Sequence, residues 1–405
     1  MIEKGFRYID LFCGIGGFHQ AMENLGGVYA CDIDSDCRNT YYNNYKIEPD
    51  SDITKVDVTE IPKHEVLCAG FPCQSFSKAG KRLGFSDETK GTLFFDICRI
   101  LQYHKPKYAL LENVRNLVSH DKGNTWRVIY NSLVELGYNV IEEPLIFSPH
   151  YIGIPQHRER VFIMCVRKDI GELAPFDFNI NKIYNINKTE CNIDDILLND
   201  EDITDISKYR LSEDKIEWIE LWNEFIQNIK GDKLPGFSIW ADCLCMLENT
   251  PYFKEWETMP KWKQSVVLKN VQLWQDNKDF IDEWLQRAKK NKNFFGSKAK
   301  LEWQAGTDNK NPNIWDNILQ IRPSGLRVKQ GTYFPALVAI TQTSIVGKRK
   351  RFLTPRECAR LQSFPDSFQY DKKDRQAYKQ LGNSVNVAVV EMLAKYMFQN
   401  TIIKF

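Results

Sequence analysis

Long apolar runs are missing from this 405-residue chain. None approaches the roughly 18 residues that a membrane span needs, so no membrane is expected as a partner. Met1-Ile2-Glu3-Lys4-Gly5 shows neither the basic nor the apolar region of a secretion signal. The eleven cysteines contain no CxxC pair. Cys31/Cys37 and Cys243/Cys245 have the wrong spacing for zinc and lack histidines at helical spacing. Free thiols in a reducing cytoplasm, and no metal, are therefore expected. No excess charge of one sign exists either: the net charge is +1, so bulk charge announces no polyanion. Lys348-Arg349-Lys350-Arg351 reads equally well as a phosphate contact or a solvated turn. Internal repeats and the dinucleotide fingerprint GxGxxG are absent too.

What is present is a soluble enzyme's composition, 43% hydrophobic and 26% charged. Strand-like and helix-like patterns alternate through residue 170 or so. Tyr8–Phe12, Val28–Cys31, Val66–Ala69, Tyr108–Leu111 and Val161–Val166 read as strands, with Phe18–Leu25, Thr92–Tyr103 and Trp126–Leu136 as helices. This predicts an α/β, mainly parallel sheet with helices on both faces. After Lys168 the texture changes. Nine of the ten tryptophans fall between Trp218 and Trp315, which predicts a second domain with an aromatic core rather than base-stacking platforms. Helical grammar returns at Pro355–Gln362 and Val385–Phe398.

Gly70-Phe71-Pro72-Cys73-Gln74-Ser75-Phe76-Ser77 puts a cysteine just past a buried strand, where an α/β sheet presents reactive groups. Alone it is weak, since a single cysteine is more often a small buried hydrophobe. Its company changes the odds. Glu112-Asn113-Val114 follows a second apolar strand, and Gln156-His157-Arg158-Glu159-Arg160 precedes a third. Asp10-Leu11-Phe12-Cys13-Gly14-Ile15-Gly16-Gly17-Phe18 reads as strand, glycine turn and helix start. Asp32-Ile33-Asp34 ends the next strand, where a carboxylate commonly accepts ribose hydroxyls. Asp52-Ile53 ends a third segment at the same edge. Each of these aspartates could equally be a helix or turn cap, and the two arginines could be a salt-bridged strand start.

Together with Arg356–Gln362, Phe364-Pro365-Asp366 and Gly382-Asn383-Ser384-Val385, these motifs stand in the order of one family. Over about residues 7–168 and 320–396 the chain resembles the DNA (cytosine-5) methyltransferases. The resemblance implies a Rossmann-like sheet dependent on S-adenosylmethionine, with a second, smaller target-recognition domain. It places the catalytic domain at 1–170 and 382–405. The small domain then spans 171–381 and includes the Arg356–Asp366 motif. Cys73 is implied as the nucleophile, Glu112 as the group on cytosine N3 and the exocyclic amine, and Arg160 on the base oxygen. Arg158 is implied to support the loop and the phosphate backbone. Phe12, Gly14, Gly16, Phe18, Asp32, Ile33, Asp52, Ile53, Pro72, Asn383, Ser384 and Val385 are implied around the cofactor. Cys13 departs from the alanine or serine of many members, a change between small residues.

Ser75, Ser77, Lys78, Lys81 and Arg82, spaced by Gly80 and Gly84, read as a loop that closes over double-stranded DNA and touches phosphate. In the middle region, Trp240-Ala241-Asp242, Leu301–Ala305 and Pro335–Gly347 resemble a branch of restriction-modification methylases that act on AGCT. Arg322, Arg327, Gln342 and Thr343 are the candidates there for groove contacts, with DNA expected in the cleft between the domains. The expected setting is a monomer, bacterial or phage-encoded, sharing its site with a restriction endonuclease that it does not touch. A tRNA substrate and a non-catalytic DNA-binding module are the competing readings. The long insertion between Lys168 and Pro355 argues against the first, and intact Cys73, Glu112 and Arg160 against the second.

Overall fold

A computed structural model describes residues 5–72, 93–173, 191–292, 294–307, 311–339 and 343–402. The chain forms two compact units. The first comprises Met1–Cys191, Pro335–Thr341 and Pro355–Phe405, and the second Asn192–Phe334 and Gln342–Thr354. These boundaries correct the expected ones. Residues 355–381, with the Arg356–Asp366 motif, pack in the first unit rather than in the smaller one. The local reason is visible in their contacts. Asn44 exchanges hydrogen bonds of 2.8 and 2.9 Å with the Gln369 backbone, and Lys379 pairs with Asp34 at 2.7 Å.

The first unit is built on a seven-stranded sheet. Strands β1 (Arg7–Leu11), β2 (Gly26–Cys31), β3 (Val66–Gly70) and β4 (Tyr108–Val114) run parallel in the order β2-β1-β3-β4. The interiors of β1, β3 and β4 are nearly all buried, as strands covered on both faces require, whereas the edge strand β2 is buried only at Ala30 and Cys31. Beyond β4 the sheet departs from the parallel expectation. Past β5 (Tyr138–Val140), β6 (Leu145–Phe147) and the short β7 (Gln156–His157), strand β8 (Arg160–Arg167) pairs antiparallel with β4, β5 and β6. The link from β6 to β8 holds one 3-10 turn and β7 but no α-helix, which suits an antiparallel return, since a parallel pair usually needs a helical crossover.

The chain runs from β1 out to β2 and returns on the other side of β1 as β3. That reversal opens a crevice at the carboxyl ends of the strands, where α/β sheets bind ligands. Helices α1 (Gly17–Ala21), α2 (Ser35–Tyr45), α3 (Leu93–His104) and α4 (Asn124–Glu135) complete this part of the unit. Two glycines are dictated by space. At Gly16 (φ 87°) a Cβ would lie 2.1 Å from the Tyr45 ring, and at Gly17 it would lie 2.6 Å from Val385 Cγ2.

The second unit holds a six-stranded sheet, in the order Ser238–Trp240, Lys300–Gln304, Gly325–Lys329, Ile318–Arg322, Ile345–Val346 and Arg351–Phe352. Its core contains Trp218, Trp222, Trp274, Trp284, Trp303 and Trp315, as the core reading of the tryptophans predicts. Trp218 and Trp222, one helical turn apart, both donate from Nε1 to the Lys298 carbonyl, at 2.6 and 2.8 Å. Within the basic run 348–351, Lys348 is exposed on the turn formed by Gly347–Arg349, as a solvated turn would have it, while the later positions have protein partners. Arg351 is fully buried and pairs with Asp200 at 2.9 Å, while Lys350 pairs with Glu220 and lies over Trp315.

Candidate active site

The carboxyl edge of β1–β4 borders a cavity of about 470 Å³ within the first unit. Phe12, Gly14, Asp32, Ile33, Asp52 and Ile53 line one part of it; Pro72, Glu112, Arg158, Arg160 and Asn383 line the rest. The motifs lie far apart in sequence, and the parallel strands bring their ends together.

At the glycine turn, Phe12 (φ 54°) and Gly14 (φ 52°) adopt left-handed backbone. A Cβ at Gly14 would meet no atom within 4 Å, so the backbone there faces open space. Asp32 anchors this turn. Its Oδ2 accepts from the Gly14 amide and its Oδ1 from the Asp34 amide, both at 2.8 Å. Burial raises the Asp32 carboxyl, and the amides of Asp34 and Gly14 pull it part of the way back. Asp34 is a cap: it accepts from the amides of Asp36 and Cys37 at the start of α2. Asp52 lines the cavity but spends Oδ1 on Thr54 and Oδ2 on Lys55. Ile33 is 79% exposed at the rim, an apolar surface without an apolar cover.

Glu112 and Arg160 are diagonal neighbours on one face of the β4·β8 pair, because Val114 stands opposite Arg160 and Glu112 opposite Phe162. Arg160 Nε lies 3.1 Å from Glu112 Oε1. Burial pushes the Glu112 carboxyl up, while Arg160 and then Arg158 oppose the rise. Arg158 departs from its expected contact with the phosphate backbone. It is 3% exposed and donates to the carbonyls of Leu337, Gly382 and Ser384 at 2.8–2.9 Å. A guanidinium committed to three carbonyls is a clamp that fixes the Gly382–Ser384 segment. Burial pushes it down to about 9, and the nearby Arg160 adds to this, yet it stays cationic near neutral pH.

Within the Gly382–Val385 motif, positions differ from the expectation. Asn383 is exposed and lines the cavity, whereas Ser384 and Val385 are buried behind it against Gly17. Gly16 and Phe18 are likewise buried and outside the cavity wall. Phe18 lies beneath Gly70. Cys73, Ser75, Ser77, Lys78, Lys81, Arg82 and Gln342 lie outside the described residues. Arg322, Arg327 and Thr343 fall in the second unit and are not among the residues lining this cavity.

Two side chains that the sequence left without a role shape the site. Asn113 donates from Nδ2 to the Phe71 carbonyl at 2.7 Å, tying the end of β4 to the loop that leads to Pro72. Arg99 on α3 donates to the carbonyls of Ile53 and Val56 at 2.8 and 2.7 Å, holding the segment that carries Asp52 and Ile53. Asn113 stood inside a quoted motif. Arg99 left no sequence signal, because backbone carbonyls as partners impose no residue type.

The model of the C-5 cytosine-specific DNA methylases matches residues 6–399. The chain belongs to that family. This methylase is 34% identical to the type II methyltransferase M.AluI of Cellulosimicrobium cellulans, over 96% of this chain and 91% of that protein. It is 31% identical to M.HhaI of Haemophilus parahaemolyticus, over 96% and 93%. Among solved structures, the S. pombe Dnmt2 methyltransferase superposes with a TM-score of 0.53 at 19% identity, over 98% of this chain and 99% of that one, a likeness of fold. The methylase is thus a DNA (cytosine-5) methyltransferase on an α/β, Rossmann-like methyltransferase fold. Among the described residues, no helix is long and apolar enough to cross a membrane, and no three His, Cys, Asp or Glu side chains gather as a metal site.

Proposed function

We propose that this methylase modifies carbon 5 of a cytosine turned out of double-stranded DNA, through a covalent bond from Cys73 to carbon 6. One observation carries the reading. The Asp32–Gly14 turn and the Glu112–Arg160 pair open into one cavity whose wall includes Pro72, the residue before Cys73 in the chain.

The cofactor side of that cavity suits S-adenosylmethionine. The Asp32 carboxylate suits ribose hydroxyls, the open space at Gly14 admits close approach, and Phe12 and Ile33 offer apolar surface to a flat ring. When bound, S-adenosylmethionine supplies an electrophilic methyl group. The remaining chemistry falls to the chain. Carbon 5 of cytosine is a weak nucleophile until a soft thiolate adds at carbon 6. The Cys73 thiolate forms that bond, the displaced electron pair moves toward N3, and Glu112 holds or delivers a proton there. Arg160 binds the base oxygen and stabilises the charge. Once C5 is methylated, its proton leaves and the Cys73–C6 bond breaks, restoring the ring. Extracting the base costs on the order of a few kcal/mol, which contacts from Ser75, Ser77, Lys78, Lys81 and Arg82 offset.

The second unit is read as the target-recognition domain, acting with the first as a monomer. The middle-region likeness points to AGCT as the target and to a type II restriction-modification setting, with an endonuclease acting on the same site. Bisulfite sequencing of DNA from cells expressing this methylase tests the reading. Modified cytosines within AGCT are the expected result. Modification of another motif rejects AGCT alone, and modification of tRNA alone rejects DNA as the substrate.

A further inference from the structure

The sheet of the second unit has two unlike faces. One carries Leu301, Trp303, Leu319, Leu326 and Val328 into the tryptophan core. On the other face, strand register sets Glu302, Arg327 and Gln320 in one row, since Glu302 and Gln320 both stand opposite Arg327. Arg322 shares that face two residues beyond Gln320, and Lys329 two residues beyond Arg327. Glu302 is the one carboxylate among the groups that perturb Arg322 and Lys329, and it already pairs with Arg327. Arg322 and Lys329 are pushed down by burial and by their cationic neighbours. The patch therefore has unspent positive charge.

Both arginines are held by the same edge. Arg327 sets Nε and Nη2 on one oxygen of Glu302, at 2.6 and 2.5 Å. Arg322 sets Nε and Nη2 on Gln320 Oε1, at 3.1 and 2.8 Å. A guanidinium is planar with five N–H donors, so fixing the Nε side leaves the Nη1/Nη2 end aimed away from the partner. That end matches the O6/N7 edge of guanine, the commonest specific arginine contact in the major groove. The arginines and their partners all stand on paired strands, and such pre-organisation lowers the side-chain ordering cost of binding. Arg327 keeps a side-chain exposure of 22%, so it is not sealed in the core. A phosphate contact needs no such aim, because it carries no sequence information.

We propose that Glu302 and Gln320 are positioning residues for base readout, fixing Arg327 and Arg322 as two guanine-reading forks on duplex DNA. This rests on the reading of the second unit as the recognition domain. The test is bisulfite motif mapping with the full-length chain and the variants Glu302→Ala, Arg327→Ala, Gln320→Ala and Arg322→Ala. Glu302→Ala and Arg327→Ala are expected to relax discrimination at the same base pair by roughly tenfold or more. Gln320→Ala and Arg322→Ala relax a second, shared base pair. Where Glu302→Ala lowers the melting temperature, Glu302→Gln, which keeps an acceptor oxygen, shows a smaller relaxation at that same position. The proposal is overturned if the motif stays intact in the Glu302 variants. It is also overturned if Arg327→Ala weakens binding equally on all sequences and lowers the salt slope by about one, the signature of a phosphate contact. A wild-type chain that leaves duplex DNA unmodified instead removes the reading underneath.

Discussion

Glu112 faces opposed demands from its surroundings. Burial holds its proton to higher pH than an exposed glutamate does, while Arg160 and Arg158 draw it off. The net shift is upward, which suits the proposed role of presenting a proton to N3. The single-turnover rate is therefore predicted to fall as pH rises through that raised value, and the limb should be missing in Glu112→Gln, whose amide cannot ionise. The same variant should slow methyl transfer by on the order of a hundredfold while DNA affinity changes much less. Rapid-quench kinetics at several pH values check both. The stability linkage has the matching sign. With a folded pKa above the unfolded one, the stabilising contribution is present below the unfolded value and is lost as pH rises through the folded one. Wild type should thus lose ground to Glu112→Gln in melting temperature as pH rises over that window. At this scale much of the site was legible, since Glu112 and Arg160 stand in motifs whose chemistry is specific. For Arg158 the supporting role fits and the phosphate contact does not, because a sequence cannot tell an arginine facing phosphate from one that clamps three carbonyls.

Helix α3 shows how an element without a catalytic motif can still set a site. Leu93 at its start lines the cavity, and Arg99 holds the Ile53 and Val56 carbonyls. Further along, His104 reaches the Val58 carbonyl at 2.8 Å. The helix thus holds the part of the cavity wall that carries Asp52 and Ile53. Arg99→Ala is predicted to raise KM for S-adenosylmethionine about tenfold, the loss of roughly one charged hydrogen bond, with kcat changed by less than about twofold. Arg99→Lys, keeping one donor, should recover part of the loss. Equal falls in kcat and in folded fraction would mark Arg99 as a core fastener only. The helix itself was legible to within a residue at each end, from apolar spacing. Its partners were not, because hydrogen bonds to carbonyls 43 and 46 residues away leave no pattern in the chain. The antiparallel β8 was hidden for a related reason: a fully buried strand reads the same in either direction.

At the scale of the whole molecule, the change of texture after Lys168 announced a second unit, which begins later than expected, at Asn192, and its tryptophans pack as a core should. The return to the first unit was placed too late. Contacts such as Asn44 with Gln369 and Lys379 with Asp34 decide where residues 355–381 pack, and helical periodicity carries no information about them. In the proposed function, the first unit forms a bond to the base that the second selects. The most direct test incubates the full-length protein with S-adenosylmethionine and a duplex bearing 5-fluorocytosine at the mapped target. Fluorine blocks departure of the C5 substituent, so the chain should be trapped as a covalent complex, with peptide mass spectrometry placing the link on Cys73 and Cys73→Ser forming none. A wild-type chain that methylates ordinary duplexes yet forms no adduct, or a Cys73→Ser variant with robust turnover, would contradict the account.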